Sequence, residues 1–402
     1  MIINIDADKK PVVVISLLTA ACLLGDSMLY IVLPIHWQDV GLASLWEVGV
    51  LLSVNRIVRL PFNPLVTLAY SRMTCRSGVI FAGVLAACTT ISYAFIKGFA
   101  LWLVFRCIWG IAWTFFRLGA FFTIVEMAGK NNRGYYMGIY NGLYRLGSLF
   151  GMLAGGFLAD RYGLGNTAIL FGLITCLAIP FAFQVLPRSS PHAPEAGKLQ
   201  NVSTLVNANT LWPLLTGLFI ALVYQGAFTS TLSYLIQIHT ASQIPLFGAL
   251  VGAASLAGIL QALRWGWEPW LAPWFGRLSD GKHGRKKILT VTLFLAALFF
   301  SLIPLTLPLG WWLLLIIFIL LTATILTTII DAIACDAAVC SSQRNFMSVY
   351  SIALDLGAAL GPLLSYALND LSGPYAIYQV IAAGLLLLAL KWLAYPTQSC
   401  KA

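Results

Sequence analysis

Long apolar runs recur along the whole chain, and they constrain its fold more than any other feature. A helix that crosses a bilayer needs roughly 20 predominantly apolar residues, because the hydrocarbon core is about 30 Å thick. The runs that meet this requirement cover residues 12–34, 45–68, 78–97, 99–125, 134–160, 165–186, 211–237, 246–273, 287–307, 310–338, 345–368 and 373–395. The sequence therefore predicts an all-α polytopic membrane protein with twelve transmembrane helices.

The composition agrees with a lipid environment. Of the 402 residues, 60% are hydrophobic and 9% are Asp, Glu, Lys or Arg, whereas a soluble domain carries about 25% charged residues. A soluble chain this apolar could not cover its surface with polar groups. The net charge of +10 comes from bases in short loops, so we expect the lipid bilayer as a partner and no nucleic acid.

The loop bases also predict orientation. Nearly all Lys and Arg between the runs fall on one side of the membrane, and only Lys97 and Arg161 fall on the other. Because cytoplasmic loops are enriched in Lys and Arg, we expect a multi-pass protein of a bacterial-type inner membrane with both termini in the cytoplasm.

The two halves of the chain repeat each other. A polar segment at 187–210, rich in proline, predicts a cytoplasmic linker between an N-terminal half at 1–186 and a C-terminal half at 211–402. At an offset of 210 residues, matching positions include Arg145 with Asp355 and Gly163 with Gly373. Each half has six helices, so both copies run in the same direction, as a parallel repeat does.

This arrangement resembles the major facilitator superfamily over nearly the whole chain. The segment from Gly276 to Lys287 is similar to that family's G-x-L-x-D-R-x-G-R-[KR] signature, with one extra residue between Asp280 and the second glycine. The resemblance implies a charge network that latches the cytoplasmic ends of the helices, in which Gly276 allows close helix approach. The first-half copy departs from it, since Tyr70 stands in the place of Asp280. The residues we expect in gating are Glu126, Gly276, Asp280, Arg285, Lys286, Asp331 and Asp336.

Two further motifs resemble proton-coupled members of the family. Arg106 and Gly110 match an R-x-x-x-G element in which the arginine is linked to coupling. Asp26, followed by Leu33-Pro34, is similar to the first-helix pattern of efflux members. The fifth helix is glycine-rich, as in antiporters, but the Gly-Pro pair lies in helix eleven, at Gly361-Pro362. The resemblance implies a proton gradient as the energy source and Asp26 as a proton site.

Charged side chains within the apolar runs mark the candidate pathway. An ionised group in hydrocarbon costs several kcal/mol, so such groups face a partner or an aqueous cavity. Arginines outnumber acids in the N-terminal half, and guanidinium groups bind carboxylate or phosphate well, which favours an anionic substrate. The alternative for each arginine is a structural ion pair, such as one between Asp26 and Arg56, Arg59 or Arg145. The residues we expect in substrate binding or coupling are Asp26, Tyr30, Arg56, Arg59, Arg106, Trp113, Arg117, Tyr144, Arg145, Arg264 and Asp355.

Several function classes are disfavoured. The chain has no Walker A sequence, no C-x-x-C pair and no His-Asp or Ser-His cluster, so we expect no cofactor, no metal and no enzymatic activity. The leading hypothesis is a monomeric secondary transporter that works by alternating access and exports a small organic anion, such as a carboxylate-rich metabolite or a siderophore. The alternatives are multidrug efflux of lipophilic compounds, uptake of an organic anion, and a receptor or scaffold without transport.

Overall fold

The computed structural model describes residues 10–127, 133–186, 208–240, 244–246, 249–280, 284–339 and 343–394, and these are almost entirely helical. The elements are α1 (Lys10–Val32), α2 (Leu45–Ile57), α3 (Arg59–Tyr70), α4 (Cys75–Ser92), α5 (Phe99–Met127), α6 (Arg133–Val185), α7 (Ala208–Ile220), a π-helix (Ala221–Phe228), α8 (Thr229–Thr240), β1 (Ile244–Leu246), β2 (Ala249–Val251), α9 (Ala253–Asp280), α10 (Arg285–Leu302), α11 (Leu309–Val339), α12 (Gln343–Ser372) and α13 (Ala376–Ala394).

These elements supply the twelve predicted spans. The second span is formed by α2 and α3, and the seventh by α7, the π-helix and α8. The fifth and sixth lie within α6, whose 53 residues would extend about 80 Å if straight. Its backbone breaks at Gly163, with φ 81° and ψ 162°, a conformation that glycine adopts without steric cost. Gly373, its partner in the repeat, also has a positive φ, 87°.

Eight helices in the described ranges are long and apolar enough to cross a membrane on composition alone. One of these helices, α6, holds two spans, so the second, eighth and ninth spans are the ones that miss the criterion, each for a local reason. The helices α2 and α3 are short, at 13 and 12 residues, and α10 opens with three consecutive bases. In α9, Arg264 and Glu268 lower the mean hydropathy.

Glycines bring the helices of each repeat together in the same way. In α6, a Cβ at Gly147 would overlap the carbonyl oxygen of Ala20, and one at Gly151 would lie 2.6 Å from the carbonyl oxygen of Leu24. In α12, a Cβ at Gly357 would overlap the carbonyl oxygen of Leu218 in α7. Small residues at such contacts let helix backbones approach closely in membranes. Gly147 and Gly357, which the offset of 210 residues pairs, therefore play equivalent parts in α6 and α12.

The chain divides into two compact units. One comprises Met1–Ala196 with Leu232–Ile259, and the other comprises Gly197–Thr231 with Leu260–Ala402. This grouping differs from the predicted halves, because it places residues 232–259 with the N-terminal part of the chain. Most of the predicted linker lies outside the described residues.

The predicted start of the eighth span, residue 246, is wrong. That position belongs to a short antiparallel pair in which Ile244 is opposite Val251, and α9 begins at Ala253. Pro245 and Gly252 are both poor helix formers. In addition, a Cβ at Gly252 would overlap the carboxylate of Asp160 in α6, so this backbone must stay free of side-chain bulk.

The core of the first unit explains why Tyr70 stands where the family signature has an acid. Tyr70 is 2% exposed, and its Oη donates to the carbonyl oxygen of Phe115 at 2.7 Å. A Cβ at Gly119 would lie 2.6 Å from the Tyr70 Oη. The residue therefore packs α3 against α5, in a setting that would penalise a carboxylate.

Candidate functional site

A buried ion pair joins α1 and α5. Arg106 Nη1 donates to Asp26 Oδ1 at 2.5 Å, and the side chains are 0% and 7% exposed. Arg106 Nε donates to the carbonyl oxygen of Leu51 at 2.9 Å, and Asn55 Nδ2 donates to the same Asp26 oxygen at 3.2 Å. A charged pair is tolerated at this depth because charge-assisted hydrogen bonds offset part of its desolvation cost.

Gly110 gives a physical reason for the R-x-x-x-G spacing. A Cβ at Gly110 would overlap the carbonyl oxygen of Asn55 and the side chain of Val58. The absence of a side chain lets α5 approach α2, and Arg106, one turn earlier on α5, then reaches the carbonyl of Leu51, one turn earlier on α2. The glycine thus positions the arginine.

The ion-pair partner expected for Asp26 is wrong. The sequence suggested Arg56, Arg59 or Arg145, whereas the structure pairs Asp26 with Arg106. Arg56 instead donates from its Nε to Tyr30 Oη at 3.3 Å. Asn55, which also donates to Asp26, was not identified from the sequence. Its one signal was an amide within an apolar run, next to the more conspicuous Arg56.

A second cluster combines arginines with aromatic rings. The guanidinium of Arg59 lies 5.3 Å from the ring centroid of Trp113. Trp113 stacks on Trp109 at 5.8 Å and meets Tyr144 edge-on at 5.7 Å. Arg59, Trp113 and Tyr144 are all half-buried. The structure therefore brings together these three predicted site residues, on α3, α5 and α6, as the arginine–aromatic cluster.

The other predicted binding residues are more dispersed. Arg117 is half-buried, with its guanidinium 5.9 Å from the ring of Phe121, and Arg145 is exposed. In the second unit, Arg264 is 3% exposed and Asp355 is half-buried. That Arg145 and Asp355 face each other stays a prediction.

The predicted gating residues are described in part. The side chains of Glu126, Asp280 and Asp336 lie outside the described residues. Among the described residues, a Cβ at Gly276 would meet only the Thr328 methyl group, at 4.0 Å. The close helix approach expected at Gly276 stays a prediction.

The described gating side chains bind helix backbones and a phenol. Arg285 Nη1 donates to the carbonyl oxygen of Ala332 at 3.0 Å, and Lys286 Nζ donates to that of Leu393 at 3.5 Å. Asp331, which is exposed, accepts a hydrogen bond from Tyr350 Oη at 2.7 Å. The Leu393 carbonyl lies in the last turn of α13, where a basic side chain satisfies an acceptor that the helix itself leaves open.

The second unit contains a polar region that the sequence did not predict. It surrounds the π-helix, where Tyr224 Oη and Thr322 Oγ1 are 2.9 Å apart and Thr229 Oγ1 donates to the carbonyl oxygen of Tyr224 at 2.7 Å. Gln261 Nε2 reaches Thr229 Oγ1 at 3.5 Å. Widened helical turns of this kind occur often at functional sites.

In the part of the chain that the structure describes, no group of three or more His, Cys, Asp or Glu side chains is placed to hold a metal ion. The chemistry that the ion pair and the arginine–aromatic cluster offer is ion pairing, hydrogen bonding and aromatic contact.

Comparison with known proteins identifies relatives of the chain. The sequence profile of the Major Facilitator Superfamily matches residues 15–267 and 270–399. Multidrug resistance protein MdtG of Proteus mirabilis is 25% identical over 397 residues, with 94% of each chain covered. An uncharacterized MFS-type transporter of Methanocaldococcus jannaschii is 28% identical over 182 residues, which is 44% of this chain and 46% of that relative. The match to MdtG of Salmonella paratyphi A spans 64% of that relative's length.

Solved structures share the fold at low identity. The peptide transporter POT, crystallised as a mutant in complex with sulfate, has a TM-score of 0.75 and 14% identity, over 98% of this chain and 95% of that one. The nucleoside transporter NupG has a TM-score of 0.73 and 12% identity, over 97% and 99%. Since the family profile covers nearly the whole chain and the twelve spans match its architecture, this multi-pass membrane protein belongs to the major facilitator superfamily of transporters.

Proposed function

We propose that the chain is a proton-coupled secondary transporter that exports a small organic anion by alternating access. It acts as a monomer in an inner membrane with both termini in the cytoplasm, and the proton gradient is its energy source. The observation that carries the coupling is the buried pair of Asp26 and Arg106.

Through the ion pair, the binding of a proton can shift the equilibrium between two conformations of the transporter. Removing one partner of a buried pair leaves an uncompensated charge, at a cost of about 3–5 kcal/mol. Protonation of Asp26 removes the negative charge without moving Arg106, and thus penalises the conformation in which both are buried. A penalty of about 3 kcal/mol changes an equilibrium roughly a hundredfold. A second conformation, in which Arg106 reaches water or substrate, would then be populated.

The arginine–aromatic cluster supports an organic anion as the substrate. Arg59 supplies a guanidinium group, which matches carboxylate or phosphate geometry, and Trp113 and Tyr144 supply apolar faces beside it. All three are half-buried, so they are neither sealed in the core nor fully hydrated. A solute with a carboxylate next to an apolar or planar part would use both features.

The second candidate is efflux of lipophilic compounds. It is favoured by the likeness to MdtG, which is described as a multidrug resistance protein, and by the aromatic rings around Trp113. In that case Trp113 and Tyr144 would carry most of the binding energy, and Arg59 would contribute little. The two candidates therefore differ in what they require of Arg59.

The test uses purified protein in liposomes with an imposed pH gradient. Counterflow of radiolabelled organic anions is compared with that of lipophilic cations, and the direction of proton movement is followed with a pH-sensitive dye. We expect anions to move against an opposing proton flux. Transport of lipophilic cations alone would favour the second candidate, and solute moving together with protons would indicate uptake.

Two variants, each with a matched control, locate proton coupling and substrate binding within the protein. Asp26→Asn should abolish the effect of the pH gradient, whereas Asp39→Asn, in an exposed acid that binds His36, should leave it intact. Arg59→Ala should raise the substrate concentration needed for half-maximal flux at least about tenfold, whereas Arg161→Ala, which removes an exposed side chain, should not. Normal coupling in Asp26→Asn would refute the proposed proton site.

A further inference from the structure

Four buried polar atoms around Asp26 have no hydrogen-bond partner among the described residues. They are Thr90 Oγ1, Tyr93 Oη, Asn55 Oδ1 and Arg106 Nη2. All four residues are at most 1% exposed. A buried polar group without a partner lowers the stability of the folded protein, so four in one region would be a heavy penalty.

The residues that carry these atoms lie around Asp26 and its neighbour Gly25 in the first unit. Asn55 and Arg106 each donate to Asp26 Oδ1 through a neighbouring nitrogen, so their unpartnered atoms belong to the same amide and guanidinium groups that contact that oxygen. Thr90 Oγ1 would be 2.9 Å from a Cβ on Gly25, the residue before Asp26. Tyr93 lies three residues after Thr90, on the same side of this part of the chain. Its hydroxyl faces the Arg106 guanidinium in a contact that is longer or less well aligned than an ordinary hydrogen bond, and it also lies within electrostatic range of Asp26.

The four atoms complement the hydrogen-bonding groups of water. Arg106 Nη2 is a donor and Asn55 Oδ1 is an acceptor, while the hydroxyls of Thr90 and Tyr93 can act as either. Buried waters typically make about three hydrogen bonds to polar groups that lack protein partners. The hydrogen bonds that Asn55 and Arg106 make to Asp26 both use Oδ1. A water held by the four atoms could therefore bind the second carboxylate oxygen, Oδ2.

We propose that Asn55, Thr90, Tyr93 and Arg106 form an internal water-binding site that hydrates Asp26 Oδ2. The site lies close to the ends of α4 and α5 that are joined by the segment around Lys97. The role of this water rests on the proposed function. The water accepts a proton from the side of that segment and passes one of its own to Oδ2, so that the water is regenerated and the carboxylate becomes neutral.

The sign of a stability change tests the site without reference to transport. Tyr93→Phe removes only the hydroxyl, and Thr90→Val replaces the hydroxyl with a methyl group of similar size. If the hydroxyls hold water, each variant should lower the thermal unfolding midpoint of the full-length protein in detergent by an amount on the order of 2 °C. In the double variant, the decrease in the unfolding midpoint should be smaller than the sum of the two single decreases, because both hydroxyls bind the same water. If these atoms bind nothing, removing them leaves the midpoint unchanged or raises it, and the site is refuted.

Thr89→Val is the matched control for the threonine. Thr89 is equally buried, but its Oγ1 donates to the carbonyl oxygen of Ala86 at 2.9 Å, so its hydroxyl is already satisfied within the helix. That carbonyl keeps its helical partner after the substitution, and we expect a smaller change than for Thr90→Val. An equal change in the two threonine variants would count against the water.

A transport measurement separates the site from its proposed role. Tyr93→Phe should slow proton-driven flux in liposomes about tenfold, whereas substrate exchange without a pH gradient should stay near that of the unaltered protein. Equal slowing of both would refute the role in proton transfer. If Asp26→Asn keeps full proton coupling while the two hydroxyl variants still destabilise the fold, the proposed function fails and the water site stands.

Discussion

A double-mutant cycle on the buried ion pair tests the energetics on which proton coupling depends. The variants are Asp26→Ala, Arg106→Met and the two combined. In Asp26→Ala, the guanidinium stays fully buried, with its bond to the Leu51 carbonyl oxygen but without an anion. Arginine does not lose its proton in proteins, so we expect the full penalty of about 3–5 kcal/mol.

Arg106→Met should cost less, because the pair is chemically asymmetric. Asp26 can become neutral by taking a proton, and Asn55 Nδ2 still donates to it at 3.2 Å. The stability of Arg106→Met should therefore rise as the pH is lowered, whereas Asp26→Ala should show no such recovery. The double variant has no charge left at these two positions, and we expect it to be more stable than Asp26→Ala.

The assay is thermal unfolding of each purified variant in detergent, followed by intrinsic tryptophan fluorescence at several pH values. The coupling energy is the difference between the double variant and the sum of the single ones. Additive effects of the two substitutions, or a double variant less stable than both single ones, would show that the two side chains do not compensate each other's charge.

Three further substitutions test other features of the structure. Gly147→Leu should block folding or lower the unfolding midpoint strongly because its side chain would enter the backbone of α1, whereas Gly142→Leu, where no described atom lies within 4 Å of the added Cβ, should be tolerated; equal effects would contradict the packing. Asp160→Ala should destabilise the protein by about 1 kcal/mol, since Oδ2 accepts from the backbone nitrogen of Ser255 at 2.8 Å in the first turn of α9, and limited proteolysis should show easier cleavage before that helix. Tyr350→Phe should cost about 1 kcal/mol or less, because water can replace the phenol at the exposed carboxylate of Asp331, and a larger loss of thermal stability would point to a buried bond.

The arrangement of spans could be predicted from the sequence because it depends on local composition. A run of apolar residues crosses the bilayer wherever it occurs, and a break such as that at Gly163 follows from the length of the segment and the conformational freedom of glycine. The repeat at an offset of 210 residues is also a property of the sequence, and Gly147 and Gly357, which it pairs, each pack against the backbone of another helix.

Part of the candidate site was predictable for the same reason. Charged residues in an apolar run are conspicuous, so the sequence alone is enough to single out Asp26, Arg59 and Arg106. The spacing of Arg106 and Gly110 was recognised by resemblance, and its physical cause is the contact of Gly110 with the backbone of Asn55.

The pairing of these residues was decided by tertiary structure. The hydropathy pattern predicts that a charged side chain lies within the membrane. The partner of that charge depends on the rotation of each helix and on how closely two helix backbones approach. For that reason Asp26 binds Arg106, and Gly276 makes no close contact with the described residues. Asn55, Thr90, Tyr93 and Arg106 come from α2, α5 and the C-terminal end of α4 with its cap, and only the folded chain brings them around Gly25 and Asp26.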